Sequence, residues 1–434
     1  MRHQQFVIEG GHPLTGEVTA SGNKNAALKM IPACLLTDEP MILRNVPDIG
    51  DVRSIIEIMR FVGASAEWIE PKTLRIHAKD VHTSHIDAAL TSRLRASIVL
   101  AGPLLARCGE VTLGLPGGDS IGERRIDMHV YALRKLGATV SFDGAVRIAA
   151  TDLRGAHIVL VEASVTATEN TIMAAVLAKG TTVIENAASE PHVQDLCKML
   201  VAMGAQIEGI GSNRITIHGV EKLHGTDTRV GADFMEVGSL IGAAVMTGGQ
   251  LRIREADPGY LSTIALVFDR LGVHWEVEDE DIVVPAHQDL TIRPDLGNRI
   301  PIIKAQPWPA FPSDLMSVAL TIATQSAGAV LFHDWMYESR FFFTDRLMRM
   351  GARITLCDPH RVLVQGPTAL IGQANITSPD IRAGMAMLLA ALAARGETRI
   401  SNIQQIDRGY ERIEEKLHAL GANIVRVDLG ELSD

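Results

Sequence analysis

An α/β fold with helices inside and sheets outside, made of six copies of one unit, is what this 434-residue sequence predicts. Three observations carry the expectation. First, a helical stretch runs six times into a Gly-Ala or Gly-Val pair and then a β-prone run: FVGASAEW, KLGATVSF, AMGAQIEG, RLGVHWEV, RMGARITL and ALGANIVR. The marker glycines are Gly63, Gly137, Gly204, Gly272, Gly351 and Gly421, spaced 74, 67, 68, 79 and 70 residues apart, so one supersecondary unit is copied along the chain. Second, Ala-rich stretches such as IGAAVM and MLLAALAA are apolar nearly all round, the mark of helices buried on every side. Third, the helices that precede the marker glycines are amphipathic. Ile413, Leu417 and Leu420 form one apolar stripe, which suits a helix lying between a core and solvent.

Within a unit the elements follow in a fixed order, giving a βαβαββ-like repeat. The Ala-rich helix comes first, over Arg93–Arg107, Thr168–Ala178, Phe234–Met246, Ser313–Ala327 and Ile381–Arg395. A glycine turn (CGE, KGT, TGGQ, SAGA, RGET) leads into a short β-branched strand such as TTVIEN, QLRIRE or ETRISN. The second helix ends at the marker glycine, which is suited to a left-handed C-cap, and another strand leaves the cap. Six units divide most naturally into two domains of three, with the break between His224 and Asp233.

Composition narrows the function classes. A formal net charge of -10 argues against a general nucleic-acid or membrane-surface binder. The N-terminal MRHQQFVIEGGHP lacks an apolar signal core, and the longest charge-free apolar run, Ala383–Ala394, is short of the ~20 residues that span a bilayer. Cys34, Cys108, Cys197 and Cys357 show no metal or redox spacing, so each reads as a small buried hydrophobe in a reduced, cytoplasmic setting. The 15 histidines include no HxH or HExxH pattern, so no metal and no cofactor are expected.

The helix starts carry the chemistry. The inner helices are expected to begin at Lys24-Asn25, Arg95, Thr168-Glu169, Asp233, Asp314 and Asp380-Arg382. A helix N-terminus is partly positive, so capping accounts for the aspartates but not for Lys24, Arg95 or Arg382. An anionic ligand would account for those cations. Two loops add further charge: LPGGDSIGERRID with Asp119, Arg124 and Arg125, and IDRGYERIEEKL with Arg408. Taken alone, the Gly-Gly-Asp-Ser stretch reads as a turn and Arg408 as a surface charge; the set carries the case.

The segments SGNKNAAL, RNVPDIGDV, RASIVLAGPLLAR, LPGGDSIGERRIDMH, FPSDLM, ESRF and IDRGYERIEEKL span essentially the whole chain. In this order they resemble the UDP-N-acetylglucosamine enolpyruvyl transferase family. The motifs of the sister family that acts on shikimate phosphate are not found. The resemblance implies an inside-out α/β barrel of two three-repeat domains, one spanning residues 22–231 and the other 1–21 with 232–434. It implies transfer of the enolpyruvyl group of phosphoenolpyruvate to the sugar 3′-hydroxyl, with loss of phosphate and no cofactor.

By the same resemblance, Lys24, Arg124 and Arg408 hold the donor phosphate. Arg340 and Arg382 assist the carboxylate and the developing charge, and Asp314 is the base at the 3′-hydroxyl. Asn25, Arg95, Arg124, Arg125, Ile126, Asp127, Met128, Ser164, Val165 and the backbone of Met336 contact the nucleotide sugar. Anion-holding groups from both halves imply domain closure. Where the family usually has a loop cysteine, this sequence has Asp119, so the general acid would be a carboxyl and the chain would resist epoxides that alkylate the thiol. Other departures are Phe234 for an arginine, Gln405 for a common histidine and Arg125 for a proline. Two alternatives share these motifs: a paralogue with another nucleotide-sugar acceptor, and a silent nucleotide-sugar binder.

Overall fold

The computed structural model describes residues 4–117 and 125–428. The chain forms two compact units: among the described residues, one comprises 22–117 and 125–231, the other 4–21 and 232–428.

Among the described residues, six four-stranded sheets, three in each unit, share one strand order. In the first, Asp227–Arg229 pairs parallel with Met41–Arg44, which runs antiparallel to Thr73–His77, which runs antiparallel to Ser65–Glu70. The edge strand that follows the marker glycine, here Ser65–Glu70, occupies the same place every time. The sheet of the last repeat takes its third strand from the chain start: Gln4–Glu9 lies antiparallel between Glu397–Ser401 and Asn423–Asp428. Thr15–Thr19 likewise pairs parallel with Gln250–Arg254. Residues 4–21 therefore complete two sheets of the unit that holds the C-terminal half of the chain.

Strands such as Gln250–Arg254 and Glu397–Ser401 bury alternate residues, as a sheet with one face on a core must. The core each sheet covers is helical. All of Phe234–Thr247 except Thr247, and all of Ile381–Ala393 except Ala393, is buried. In that unit the helices Phe234–Thr247, Met316–Ala323 and Ile381–Ala393 meet at Gly242, where a Cβ would lie 3.3 Å from side-chain atoms of Val318, Ile322 and Leu389. In the other unit Lys24–Ala33, Ala101–Cys108 and Val165–Ala175 form the equivalent centre. It includes a buried ionisable pair, Lys29 and Glu169, 3.6 Å apart. The second helices lie outside: in Ile413–Ala419 only Ile413 and Leu417 are buried.

All six marker glycines have positive φ, between 84° and 109°, so the left-handed cap recurs in every copy. Three helix starts differ from the sequence reading. The helix expected at Thr168 begins at Val165, with Ser164 in the cap position. The Thr168 hydroxyl bonds back to the Ser164 carbonyl at 2.8 Å, which accommodates a β-branched residue in the first turn. Arg95 and Asp314 each stand on a short 3₁₀ turn, Arg95–Leu100 and Ser313–Leu315, ahead of the α-helices Ala101–Cys108 and Met316–Ala323. Two cysteines also depart from expectation. Cys34 and Cys197 are buried and burial pushes both thiols up, but Cys108 and Cys357 are exposed. Cys108 ends a helix beside the left-handed Gly109, and Cys357 lies in an edge strand at a register shift, so neither faces the core.

Candidate active site

In the unit spanning 22–231, Lys24 is the first residue of Lys24–Ala33, with the Asn23 side chain capping Ala26 N–H at 3.0 Å. An ammonium at the positive end of a helix is electrostatically unfavourable, and Asp51 compensates. Its carboxylate lies 2.7 Å from Lys24 Nζ, and both side chains are buried. Asp51 comes from the first turn of Gly50–Phe61, within the quoted RNVPDIGDV, and the sequence reading passed over it. Asn25 is half-buried in the same helical turn as Lys24.

Arg95 donates from Nη2 to the Arg125 carbonyl at 3.0 Å, joining two sites far apart in sequence. Arg125 pairs with Asp127 at 3.0 Å on the exposed side of Asp127–Lys135. Ile126 holds that helix's cap position, Met128 is half-buried in its first turn, and the next residue, His129, is buried. His129 Nδ1 lies 3.0 Å from Asn170 Nδ2, and Nε2 lies 3.1 Å from Thr166 Oγ1. The amide must donate, so Nδ1 accepts and Nε2 carries the proton. Burial, aided by the charge of Arg95, pushes the imidazole down to about 3 and keeps it neutral. Asn170 also donates to the Ile98 carbonyl and accepts from the Gly102 amide, so one network ties His129 to the inner helix that carries Asn170 and to the segment 98–102. His129 thereby joins the helix Asp127–Lys135 to the helix Val165–Ala175.

In the other unit two buried arginines converge on one partly exposed carboxylate. Arg340 Nη2 lies 2.9 Å from Asp314 Oδ1, and Arg382 Nη2 lies 3.1 Å from Asp314 Oδ2. The arginine side chains are 4% and 8% exposed against 31% for Asp314, so the carboxylate is the member that faces outward. Burial works against both guanidinium charges, yet Asp314 and neighbouring acidic groups hold them above the ordinary arginine value. Asp314 therefore does not cap its helix, as the sequence reading supposed; the arginines claim it. Asp233 and Asp380 do cap, accepting from Met235 N–H and from Arg382 and Ala383 N–H. The Tyr410 ring lies 5.8 Å from the Arg382 guanidinium, and its hydroxyl lies 3.1 Å from Ser239 Oγ.

Met336 stands three residues past the strand Gly328–His333 and donates its amide to Asp334 Oδ1 at 2.9 Å. Arg408 follows the short helix Gln404–Asp407 and donates to Gln405 Oε1 at 2.9 Å, so the glutamine that departs from the family pattern holds a site arginine. Phe234, the other departure, is buried and packs on Trp308 with ring centroids 5.5 Å apart, replacing a cation by core. The expectations at Asp119 and Arg124 lie outside the described residues. Among the described residues, no group of three or more His, Cys, Asp or Glu side chains is placed to hold a metal ion.

Each buried cation at these helix starts thus has an internal carboxylate partner, Asp51 for Lys24 and Asp314 for Arg382. The sequence argument that only an external anion accounts for them was incomplete. The profile of the family described as EPSP synthase (3-phosphoshikimate 1-carboxyvinyltransferase) matches residues 8–417. The chain is 55% identical over 423 residues to the UDP-N-acetylglucosamine 1-carboxyvinyltransferase of Bradyrhizobium diazoefficiens, covering 98% of both chains. It is 51% identical to the enzyme of that name from Treponema denticola, over 97% of this chain and 98% of the other. Among solved structures, the enolpyruvyl transferase NikO from Streptomyces tendae superposes with a TM-score of 0.88 at 26% identity, covering 98% of this chain and 99% of that one. EPSP synthase from Acinetobacter baumannii shares the fold, with a TM-score of 0.76 at 18% identity over 98% of this chain and all of the other. The chain belongs to the UDP-N-acetylglucosamine 1-carboxyvinyltransferase family.

Proposed function

We propose that the protein transfers the enolpyruvyl group of phosphoenolpyruvate to the 3′-hydroxyl of UDP-N-acetylglucosamine and releases phosphate, the first committed step of peptidoglycan synthesis. The observation that carries this reading is Asp314: a carboxylate that faces outward and is oriented through both oxygens by two buried arginines. A general base needs that geometry before it needs anything else.

The reaction is addition followed by elimination. C3 of the donor takes a proton, the sugar oxygen adds at C2 as its own proton leaves, and the tetrahedral ketal collapses by losing phosphate from C2 and a proton from C3, which restores the C2=C3 double bond. Asp314 takes the proton of the 3′-hydroxyl. Lys24, Arg124 and Arg408 hold the phosphate. An ammonium has three donors, so a bond from Lys24 to Asp51 and one to phosphate can coexist. Arg340 and Arg382 offer planar guanidinium donors to the donor carboxylate and to charge developing at C2. Asp119 supplies the proton to C3. A free carboxyl ionises at ~3.9, so Asp119 serves as the acid only once bound donor adds negative charge and excludes water. Asn25, Arg95, Arg125, Ile126, Asp127, Met128, Ser164, Val165 and the Met336 backbone seat the nucleotide sugar. The cytoplasm is the compartment that supplies both substrates; among the described residues no helix is long and apolar enough to cross a membrane.

Phosphate release measured with both substrates, and with each alone, tests the reading. Release that requires both supports it; none with either or both indicates a binder. Faster release with a different UDP-sugar moves the acceptor while keeping the chemistry.

A further inference from the structure

Behind the Asp314 carboxylate lies a second, wholly buried one. Asp334 is 0% exposed, follows Gly328–His333, and touches three groups. Its Oδ2 accepts the Ser313 hydroxyl at 2.5 Å, its Oδ1 accepts the Met336 amide at 2.9 Å, and Oδ2 lies 3.8 Å from Arg340 Nε. Ser313 passes the interaction on. Its hydroxyl hydrogen is committed to Asp334, so its lone pair faces Arg340 Nε, which donates to it at 3.0 Å. Arg340 then spends Nη2 on Asp314.

A guanidinium is a planar fork, so fixing Nε fixes the direction of Nη2. Arg340 is buried, and turning it away from Ser313 and Asp314 would leave a buried guanidinium without the acceptors it has here. The Asp334 carboxylate meets three donors: the Ser313 hydroxyl, the Met336 amide and the Arg340 guanidinium. Asparagine there would present an N–H to either Ser313 or Met336, and each already has a hydrogen pointing inward. The charge matters as well as the shape: a buried carboxylate 3.8 Å from Arg340 supplies part of its counter-charge, so Asp314 does not have to neutralise it alone.

We propose that Asp334 and Ser313 are positioning residues for the transfer reaction: Asp334 orients the Ser313 hydroxyl, Ser313 fixes Arg340 Nε, and Arg340 aims the Asp314 carboxylate. This rests on the reading of Asp314 as the base. Asp334 ties the same device to the Met336 backbone, so acceptor seat and base share one anchor.

The test is steady-state kinetics on the full chain with phosphoenolpyruvate and UDP-N-acetylglucosamine. Ser313→Ala should lower kcat about 10- to 100-fold, the scale of a small misplacement of a reacting group, with both KM values within about threefold. Ser313→Thr, which keeps the hydroxyl, should restore most of it. Asp334→Ala should lower kcat and raise KM for the nucleotide sugar, because it releases Ser313 and Met336 together. In an Arg340→Gln background Ser313→Ala should add less than twofold, since its only route has been removed. Ser326→Ala, another buried hydroxyl of the same unit, should change the melting temperature alone. Full kcat in Ser313→Ala, or an undiminished loss in the Arg340→Gln background, would overturn the proposal. Asp314→Asn separates the two levels: if that variant keeps its kcat, the base assignment has failed; if it loses kcat while Ser313→Ala does not, only the relay has.

Discussion

Gly102 lies in the helix Ala101–Cys108, where glycine costs about 1 kcal/mol relative to alanine by helix propensity alone. The structure shows what offsets that. A Cβ on Gly102 would lie 2.3 Å from the Asn170 carbonyl oxygen and 2.6 Å from Asn170 Oδ1. A carbon and an oxygen in ordinary contact sit near ~3.3 Å, so the two inner helices would have to separate by about 1 Å. Asn170 Oδ1 also accepts the Gly102 amide, and separation would stretch that bond. Overpacking of this kind costs about 1–3 kcal/mol, a weakened buried hydrogen bond about 1–3 more, and the propensity gain returns about 1. Gly102→Ala should therefore destabilise its unit by about 3 kcal/mol, or about 6–12 °C in melting temperature for a unit of that size. Asn170 supports His129, so KM for the nucleotide sugar should rise more than KM for phosphoenolpyruvate. Gly242→Ala is the control. Its Cβ would meet only side-chain atoms, at 3.3 Å, which can shift by a few tenths of an ångström. It should stay within about 1 kcal/mol of wild type. Scanning calorimetry and steady-state kinetics read both variants. A Gly102→Ala protein as stable as Gly242→Ala would refute the helix spacing on which this reasoning depends.

Four further outcomes are expected. His129 is held at about 3 against ~6.5 unfolded, so the stability it contributes is complete above pH 6.5 and is lost as pH falls toward 3, about 2 kcal/mol by pH 5; His129→Gln should flatten melting temperature against pH over that range. Glu169 behaves oppositely: burial raises it to about 8 although Lys29 pulls it back, so its contribution is complete below ~4.3 and fades as pH rises through 8, and thermal melts of Glu169→Gln between pH 6 and 9 should lack that decline. Asp119→Asn should lower kcat/KM about 100-fold or more and remove one limb of its pH profile; an unchanged rate would exclude Asp119 as the acid. Fosfomycin-type epoxides should leave residues 115–127 unmodified by mass spectrometry, because a carboxylate replaces the thiol they alkylate.

The sequence by itself determined the repeat and its polarity. Glycine is the residue that adopts a left-handed cap without penalty, so six glycines at near-equal spacing fixed where six helices end. Apolar residues around the full circumference of Phe234–Thr247 and Ile381–Ala393 fixed which helices lie inside. The motifs were equally legible, because Lys24, Arg340 and Asp314 stand in short recognisable strings. Tertiary structure alone decided who partners whom. Nothing in the order of residues says that Asp51 neutralises Lys24, that Asp314 serves two arginines instead of a helix cap, or that Asp334 reaches Ser313. Those pairings join elements 21 to 68 residues apart, and they exist because burying a charge is costly until another chain segment supplies its complement. Local pattern records what a residue does to its own backbone; the partner of a buried charge is a property of the packed fold.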